Sequence, residues 1–211
     1  MALRFAHVLG IPPIFCATCG KSPGVLAALP GLALQPGAGA RLDWLPQETL
    51  LYQSCHLNRR TEIDLGREAE CLLAETLILG RHAMGEVTTS AHLTDHRLIT
   101  RQGRPVWAEA LCLTPDVLTS QSPALLNGAL AVVCLVAQGA EDAVGPVRAA
   151  LDFGAASGWD GRCVVRLAAA DGWTLKTQLA RAVRILTGRP LPRVWASGGP
   201  TDDSRSNGGS A

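Results

Sequence analysis

The chain alternates between short apolar runs and turn residues over most of its length. From Leu32 onward, runs rich in Leu, Val, Ile and Thr are separated by Gly, Pro and Asp. Such runs are typical of strands bounded by turns. The predicted strand segments are RLDWLPQETLLYQ, HLNRRTEIDL, AECLLAETLIL, EVTTSAHL, HRLITRQGRPVWAEALCL, GALAVVCLVA and CVVRLAA. Arg101–Arg104 is predicted to form a hairpin turn with Gly103 in the left-handed conformation. We therefore expect a mainly β protein.

One short string occurs twice. Glu48-Thr49-Leu50-Leu51 recurs 27 residues later as Glu75-Thr76-Leu77-Ile78. Two copies of a turn-and-strand unit favour stacked β-sheets, as in a short solenoid or a β-helical sandwich, although two copies also arise by coincidence.

Two segments of the C-terminal third have helical spacing instead. Ala140–Phe153 is predicted to be a short helix, because Pro146 falls inside it. Gly172–Gly188 carries a stripe of Leu and Val at helical spacing, and Gly188 is expected to end the helix. We divide the chain into a divergent N-terminal segment (1–36), a β domain (37–195) and a disordered, almost wholly non-apolar tail (196–211).

Composition excludes several classes of function. The formal net charge is +1 and only 18% of residues are charged, so electrostatic capture of nucleic acid or of a membrane surface is not expected. No apolar run approaches the length of a membrane span, and no signal peptide is predicted. The cysteines are odd in number, seven, and most lie in apolar runs, as reduced buried thiols do. We expect a cytoplasmic protein.

No catalytic motif is recognised. The sequence has no nucleophile elbow and no phosphate-binding loop, and Gly37-Ala38-Gly39 lacks a strand-loop-helix context. We therefore predict that the chain is not an enzyme and binds no permanent cofactor.

Several longer strings carry a resemblance. WLPQET (44–49), RRTEIDL (59–65), GRHAMGE (80–86), GAASGWDG (154–161) and PLPRVW (190–195) follow one another in this order. Together they resemble the urease accessory protein UreD family, also called UreH. The resemblance runs from about Gly37 to Trp195.

The resemblance implies a fold and a function. Members of the family are similar to stacked β-sheets with a small helical portion. They act with UreF and the GTPase UreG to insert nickel into apo-urease, without catalytic activity of their own, and nickel is thought to pass through or along them. The start of this chain departs from the family, whose members open with a longer β segment containing a Gly-Gly-x-x-Gly-Gly-Asp-like string. Residues 1–36 are thus a divergent remnant, a misassigned start or foreign sequence.

Candidate site residues are mainly carboxylates in the motif strings, because borderline cations such as nickel accept carboxylate and imidazole ligands. The candidates for partner contact or for a metal path are Glu48, Glu62, Asp64, Glu75, Arg81, His82 and Glu86. Glu48 and Glu75 can also be explained without a function, because alternation of polar and apolar residues along a strand would place each on the solvent-facing side of its sheet. Leu77 and Leu79, however, share a strand face with Glu75 and favour its burial. For Arg81 and Glu86 the structural reading is a buried ion pair that fixes a bend.

A different class of function is suggested by Cys16 and Cys19. Their CxxC spacing is half of a zinc site or a redox pair. No second CxxC follows, and Cys55-His56 is the nearest pair of donors. A small zinc-binding or thiol-redox module is therefore the alternative hypothesis.

Overall fold

A computed structural model describes residues 31–189, 191–192 and 195, together with the main chain of two strands at 5–7 and 26–28. The strands are β1 (Phe5–His7), β2 (Leu26–Ala28), β3 (Leu32–Leu34), β4 (Arg41–Trp44), β5 (Thr49–Leu51), β6 (His56–Leu65), β7 (Glu70–Leu79), β8 (His92–Arg101), β9 (Arg104–Leu113), β10 (Ala131–Gln138), β11 (Ala155–Trp159) and β12 (Arg162–Ala169). The α-helices are α1 (Pro115–Thr119), α2 (Val144–Ala150) and α3 (Gly172–Thr187). Two 3₁₀ turns lie at His82–Met84 and Glu141–Ala143.

The strands form two mixed sheets. The larger sheet has the order β1-β4-β7-β10-β12-β11, with β5 also paired to β7. The smaller sheet has the order β2-β6-β8-β9, with β3 also paired to β6. In the larger sheet, β7 pairs in parallel with β4 and β5, and β10, β12 and β11 follow it by antiparallel pairing. In the smaller sheet, β6 pairs in parallel with β3 and β8, and β9 joins β8 by antiparallel pairing.

The apolar side chains build a core on both faces of the larger sheet. The layer between the sheets contains Trp44, Ile63, Leu73, Ile99 and Trp107. On the other face, α2 and α3 cover side chains of β7, β10 and β12. β7 is therefore buried on both faces, which explains why AECLLAETLIL is almost continuously apolar.

Several sequence predictions are confirmed. The turn after β8 has Gln102 and Gly103 at φ 51° and 76°, as a two-residue hairpin requires. α3 begins where Asp171 accepts a hydrogen bond from Thr174 N at 2.7 Å. It ends at Gly188, with φ 62°. The helix predicted within Ala140–Phe153 is present as α2, Val144–Ala150.

Two predictions of secondary structure need correction. α1 was not predicted, because it has a single turn; its Thr114 side chain caps it by accepting a hydrogen bond from Val117 N. EVTTSAHL is a strand only from His92 onward, because residues 86–91 form a loop. The predicted tail from Ala196 lies outside the described residues.

The mainly β class is confirmed, but a solenoid is not shown. The recurring string reflects parallel pairing of β5 with β7, in which Thr49 faces Leu77 rather than Thr76. Beyond β7 the larger sheet continues by antiparallel pairing, and neither sheet closes. The architecture is two stacked mixed sheets with helices on one outer face.

No helix in the described part of the chain combines the length and apolar character needed to cross a lipid bilayer.

Candidate functional site

Four charged side chains are buried together between the two sheets. Arg59 on β6, Glu75 on β7, and Asp95 and Arg97 on β8 are each 5% exposed or less. We call them the interior ion cluster. Charged residues are this buried only when they are paired, because removing an ion from water costs several kcal/mol.

Asp95 joins the two guanidinium groups. Arg59 Nε donates to Asp95 Oδ1 at 3.0 Å, and Arg59 Nη2 donates to Oδ2 at 2.6 Å. Arg97 Nε donates to the same Oδ2 at 2.9 Å. Burial opposes ionisation of Asp95, but these hydrogen bonds and the two positive charges outweigh it and hold the pKa of Asp95 below its usual range.

Glu75 connects the cluster to the larger sheet. Its Oε1 accepts hydrogen bonds from Trp44 Nε1 at 3.3 Å and Thr61 Oγ1 at 3.1 Å. Its Oε2 lies 3.0 Å from Arg59 Nη2 and 2.8 Å from Arg97 Nε. Neither N–H is directed at Oε2, so this contact is an ion pair without a hydrogen bond.

Glu109 on β9 extends the cluster towards solvent. Arg97 Nη1 donates to its Oε2 at 3.3 Å, and Arg166 Nη2, on β12, donates to its Oε1 at 2.9 Å. The Arg166 side chain is 58% exposed and that of Glu109 is 16% exposed. Burial raises the pKa of the adjacent Cys134 thiol, and the Glu109 carboxylate raises it further.

Two cavities lie near Glu109, one on each face of the smaller sheet. The first, about 480 Å³, is lined mostly by apolar side chains of β9, β10 and β12 and reaches Glu75, Arg97, Glu109 and Arg166. The second, about 500 Å³, lies beside Arg60, His96, Ala108 and Ala110. Arg97 and Glu109 line both cavities. Arg60 and His96 lie on the outer face of the smaller sheet, so the first cavity reaches the polar interior and the second does not.

The charges of the cluster and its extension balance. Three carboxylates (Glu75, Asp95 and Glu109) face three guanidinium groups (Arg59, Arg97 and Arg166). A cation entering this region has to displace a guanidinium from a carboxylate. Glu109 is the carboxylate best placed for such an exchange, because the exposed Arg166 can move into solvent. No group of three or more His, Cys, Asp or Glu side chains in the described ranges has the geometry of a metal site.

The GRHAMGE string (80–86) forms a loop after β7 that hydrogen bonds to the Glu86 carboxylate hold in place. Glu86 accepts hydrogen bonds from Arg81 N at 3.1 Å, Arg81 Nε at 3.0 Å and Gln53 N at 3.3 Å. The hydrogen bond from the Arg81 guanidinium holds the pKa of Glu86 below its usual range. Arg81 also lies 4.8 Å above the Tyr52 ring. The predicted Arg81–Glu86 ion pair is present, but it is not buried, because the Arg81 side chain is 40% exposed at the surface.

The same loop exposes two apolar side chains. Met84 is 73% exposed and Val87 is 63% exposed, the two highest values among the large hydrophobic residues of the described chain. His82 Nε2 lies 3.1 Å from the carbonyl oxygen of Leu79, at the base of the loop. A conformationally fixed loop that exposes apolar side chains suits protein contact.

The predicted site residues do not form one site. Only Glu75 belongs to the interior ion cluster, and Arg81, His82 and Glu86 are in the loop. Glu48 Oε1 lies 3.5 Å from Lys176 Nζ on α3, so Glu48 is not buried between the sheets as Glu75 is. Glu62 pairs with Arg60, with 2.8 Å between Arg60 Nε and Oε1. Asp64 accepts hydrogen bonds from Thr100 Oγ1 and Gly103 N beside the hairpin turn. Cys16 and Cys19 lie outside the described residues.

Sequence reasoning missed Arg59, Asp95, Arg97 and Glu109. The signal was alternation: Arg59 shares a strand face with Leu57 and Ile63, and Glu109 shares one with Trp107. A charged residue at an apolar position of a period-2 pattern indicates a buried charge whose partner lies on another strand.

Comparison with known proteins identifies the family. The family model described as UreD urease accessory protein matches residues 27–196. The urease accessory protein UreD of Cereibacter sphaeroides is 50% identical over 171 residues, which are 78% of this chain and 62% of that protein. The UreD proteins of Paracoccus denitrificans and Jannaschia sp. are 46% and 45% identical, over 78% and 75% of this chain and 61% and 62% of theirs. The chain thus spans about three fifths of the length of these relatives. The resemblance carried by the motif strings is confirmed, and the chain belongs to the UreD family of urease accessory proteins.

Proposed function

We propose that this chain is a non-catalytic scaffold of urease maturation in the cytoplasm. In this proposal it acts with UreF and the GTPase UreG to insert nickel into apo-urease. Family membership supports the link to urease, because the relatives bear the name urease accessory protein. The observation that carries the proposal is the charged interior between the sheets, which a cavity reaches at Glu75, Arg97 and Glu109.

Nickel is the cargo in this proposal. Carboxylates are suitable ligands for a borderline cation in transit, because a weakly held ion can leave again. Arg166 releases the Glu109 carboxylate, which then binds the metal, and Arg166 returns to the carboxylate after the ion has moved on. Glu75 is less available, because both of its oxygens are engaged by the surrounding strands.

The loop at 80–87 is the proposed protein contact. Its main chain is fixed by Glu86, so little conformational entropy is lost when a partner binds. Met84 and Val87 then provide apolar contact area that the isolated chain leaves in water.

The chemistry of the interior favours a scaffold over an enzyme. The Cys134 thiol has a raised pKa, which makes it a poor nucleophile. Asp95 has a lowered pKa and accepts from two guanidinium groups, which makes it a poor general base. The alternative of a zinc or thiol-redox module has no support, because Cys16 and Cys19 precede the family match at 27–196.

Co-expression of the chain with UreF, UreG and the apo-urease subunits tests the proposal. We expect a complex that contains the chain and UreF and that co-elutes in size-exclusion chromatography. UreF that elutes alone, with the chain folded and in excess, would refute the proposed partnership. The same co-expression without UreF is the control for direct binding to apo-urease.

A further inference from the structure

Two histidine rings stack on the outer face of the smaller sheet. His56 on β6 and His92 on β8 are register partners in the parallel ladder. Their ring centroids are 4.4 Å apart and the ring planes are inclined by 19°. His56 is half-buried and His92 is exposed. This face is opposite to the one that carries the interior ion cluster.

The main chain holds the two residues in place. His92 N donates a hydrogen bond to the carbonyl oxygen of Cys55 at 2.7 Å, at the start of the ladder. Just before it, the hydroxyl oxygens of Ser54 and Ser90 are 3.0 Å apart. The separation of the two Cα atoms is therefore fixed by the sheet, and only the side-chain torsions remain free.

The described side chains beside the pair carry no positive charge that would repel a cation. The next row along the same face consists of Asn58 and Thr94, which are neutral. Among the described residues, the nearest positive side chain on that face is Arg60, which is two rows away and is paired with Glu62. The described hydrogen bonds include none to a ring nitrogen of His56 or His92. A neutral imidazole with an open nitrogen is the commonest metal ligand in proteins.

We propose that His56 and His92 together bind one divalent transition-metal ion, with Ni²⁺ as the ion of interest. Imidazole suits Ni²⁺, Cu²⁺ and Zn²⁺, and a metal–nitrogen bond of about 2.0–2.1 Å puts two ligating nitrogens within about 4 Å of each other. A rotation of the exposed His92 ring turns the stacked pair into such a chelate. Water fills the other coordination positions.

A site with two protein ligands holds its ion less firmly than a structural site with four. Such exchangeable binding suits a metal that is to be passed on. The assignment of this site to the nickel of urease maturation rests on the function proposed above. Binding of the ion by the isolated chain does not rest on it.

The test is titration of the full-length chain, without a histidine tag, with NiCl₂ by isothermal calorimetry near neutral pH. His96 gives a matched control, because it lies on the same strand and face, but its partner in the ladder is Arg60. We expect His56→Ala and His92→Gln each to weaken Ni²⁺ binding by about tenfold or more. His96→Ala should leave it unchanged.

Two further measurements keep the outcome unambiguous. Because the two rings act as one site, the affinity lost in the His56→Ala/His92→Gln double variant should be smaller, in free energy, than the sum of the two single losses. Cys112→Ser measures any contribution of the exposed thiol on the same face. Unchanged affinity in both histidine variants, or an equal loss in His96→Ala, would overturn the proposal. Neither result depends on whether UreF binds the chain.

Discussion

Asp95 and Arg59 are register partners on neighbouring parallel strands, and Asp95 accepts two hydrogen bonds from the Arg59 guanidinium, at 3.0 Å and 2.6 Å. The residues are 36 positions apart in sequence and are both almost fully buried. Asp95 also accepts from Arg97. Asp95 thus accepts hydrogen bonds from both buried guanidinium groups, whereas Glu75 contacts them through ion pairs alone.

We predict that Asp95→Ala lowers the free energy of unfolding by about 3–5 kcal/mol. The variant leaves the guanidinium groups of Arg59 and Arg97 buried with one carboxylate fewer, and breaking a buried pair has costs of this size. Urea denaturation followed by circular dichroism measures the change. Glu62→Ala is the control, because its pair with Arg60 is exposed and contributes about 1 kcal/mol or less. Equal effects of the two substitutions would contradict the role given to Asp95.

Stability should also depend on pH through Asp95. Its pKa is lowered in the folded state, so the unfolded state binds more protons at acidic pH. The stabilisation is complete above the unfolded pKa of about 3.9 and is lost as the pH falls through the folded pKa. We therefore expect the urea midpoint to decrease below about pH 4 and to decrease less steeply in Asp95→Asn. A variant with the wild-type pH dependence would show that another group controls it.

Gly80 and Gly103 provide a matched pair of substitutions. Both have left-handed φ, 83° and 76°, but a Cβ at Gly80 would lie 2.7 Å from Thr88 Oγ1 and 2.9 Å from Glu86 O, whereas one at Gly103 meets nothing within 4 Å. Gly103→Ala should cost about 1 kcal/mol for backbone strain alone. Gly80→Ala should cost about 1–3 kcal/mol more, from the clash. Urea unfolding measures both, and equal costs would mean that the loop yields to the methyl group.

The apolar side chains of the loop should affect binding and not folding. Met84→Ser with Val87→Ser is expected to weaken complex formation with the partner protein by about tenfold or more, because contact residues of this kind contribute above 1 kcal/mol. The melting temperature should stay near that of the wild type, because both side chains are exposed. Trp173→Ala is the control, since Trp173 is 54% exposed at the start of α3. Unchanged binding of the double variant in a pull-down titration would exclude the loop as the contact.

The sequence predicts much of the fold, because the decisive signals are local. The stripe that begins at Leu175 and the glycine at 188 suffice for α3, and Gln102-Gly103 suffices for the hairpin turn. The recurring Glu-Thr-Leu string suggested a solenoid, and the structure does not show one. Pro46 interrupts the segment between β4 and β5. As a result, the register of this segment against β7 shifts by one residue: Trp44 on β4 faces Leu73, and Thr49 on β5 faces Leu77.

The site was less predictable, because its members are distant in sequence. For Glu75 the sequence left two readings open, the wet face of a sheet and burial beside Leu77 and Leu79, and the structure shows burial. Its partners Arg59 and Arg97 were not predicted, because a charged residue is assigned to the surface by default and pairing across strands leaves no local pattern. The histidine pair was missed for the same reason, since His56 and His92 meet only through the register of β6 and β8.

The most direct test of the account is the nickel content of urease after activation in vitro with the chain, UreF, UreG, GTP and Ni²⁺. Glu109→Gln keeps the shape of the side chain and removes the charge at the outer end of the interior ion cluster, and Glu62→Gln is its surface control. We predict that Glu109→Gln still enters the complex but lowers the rate of nickel loading by about tenfold or more, with Glu62→Gln unaffected. Loading at the wild-type rate by an intact Glu109→Gln complex would contradict a nickel path through this interior.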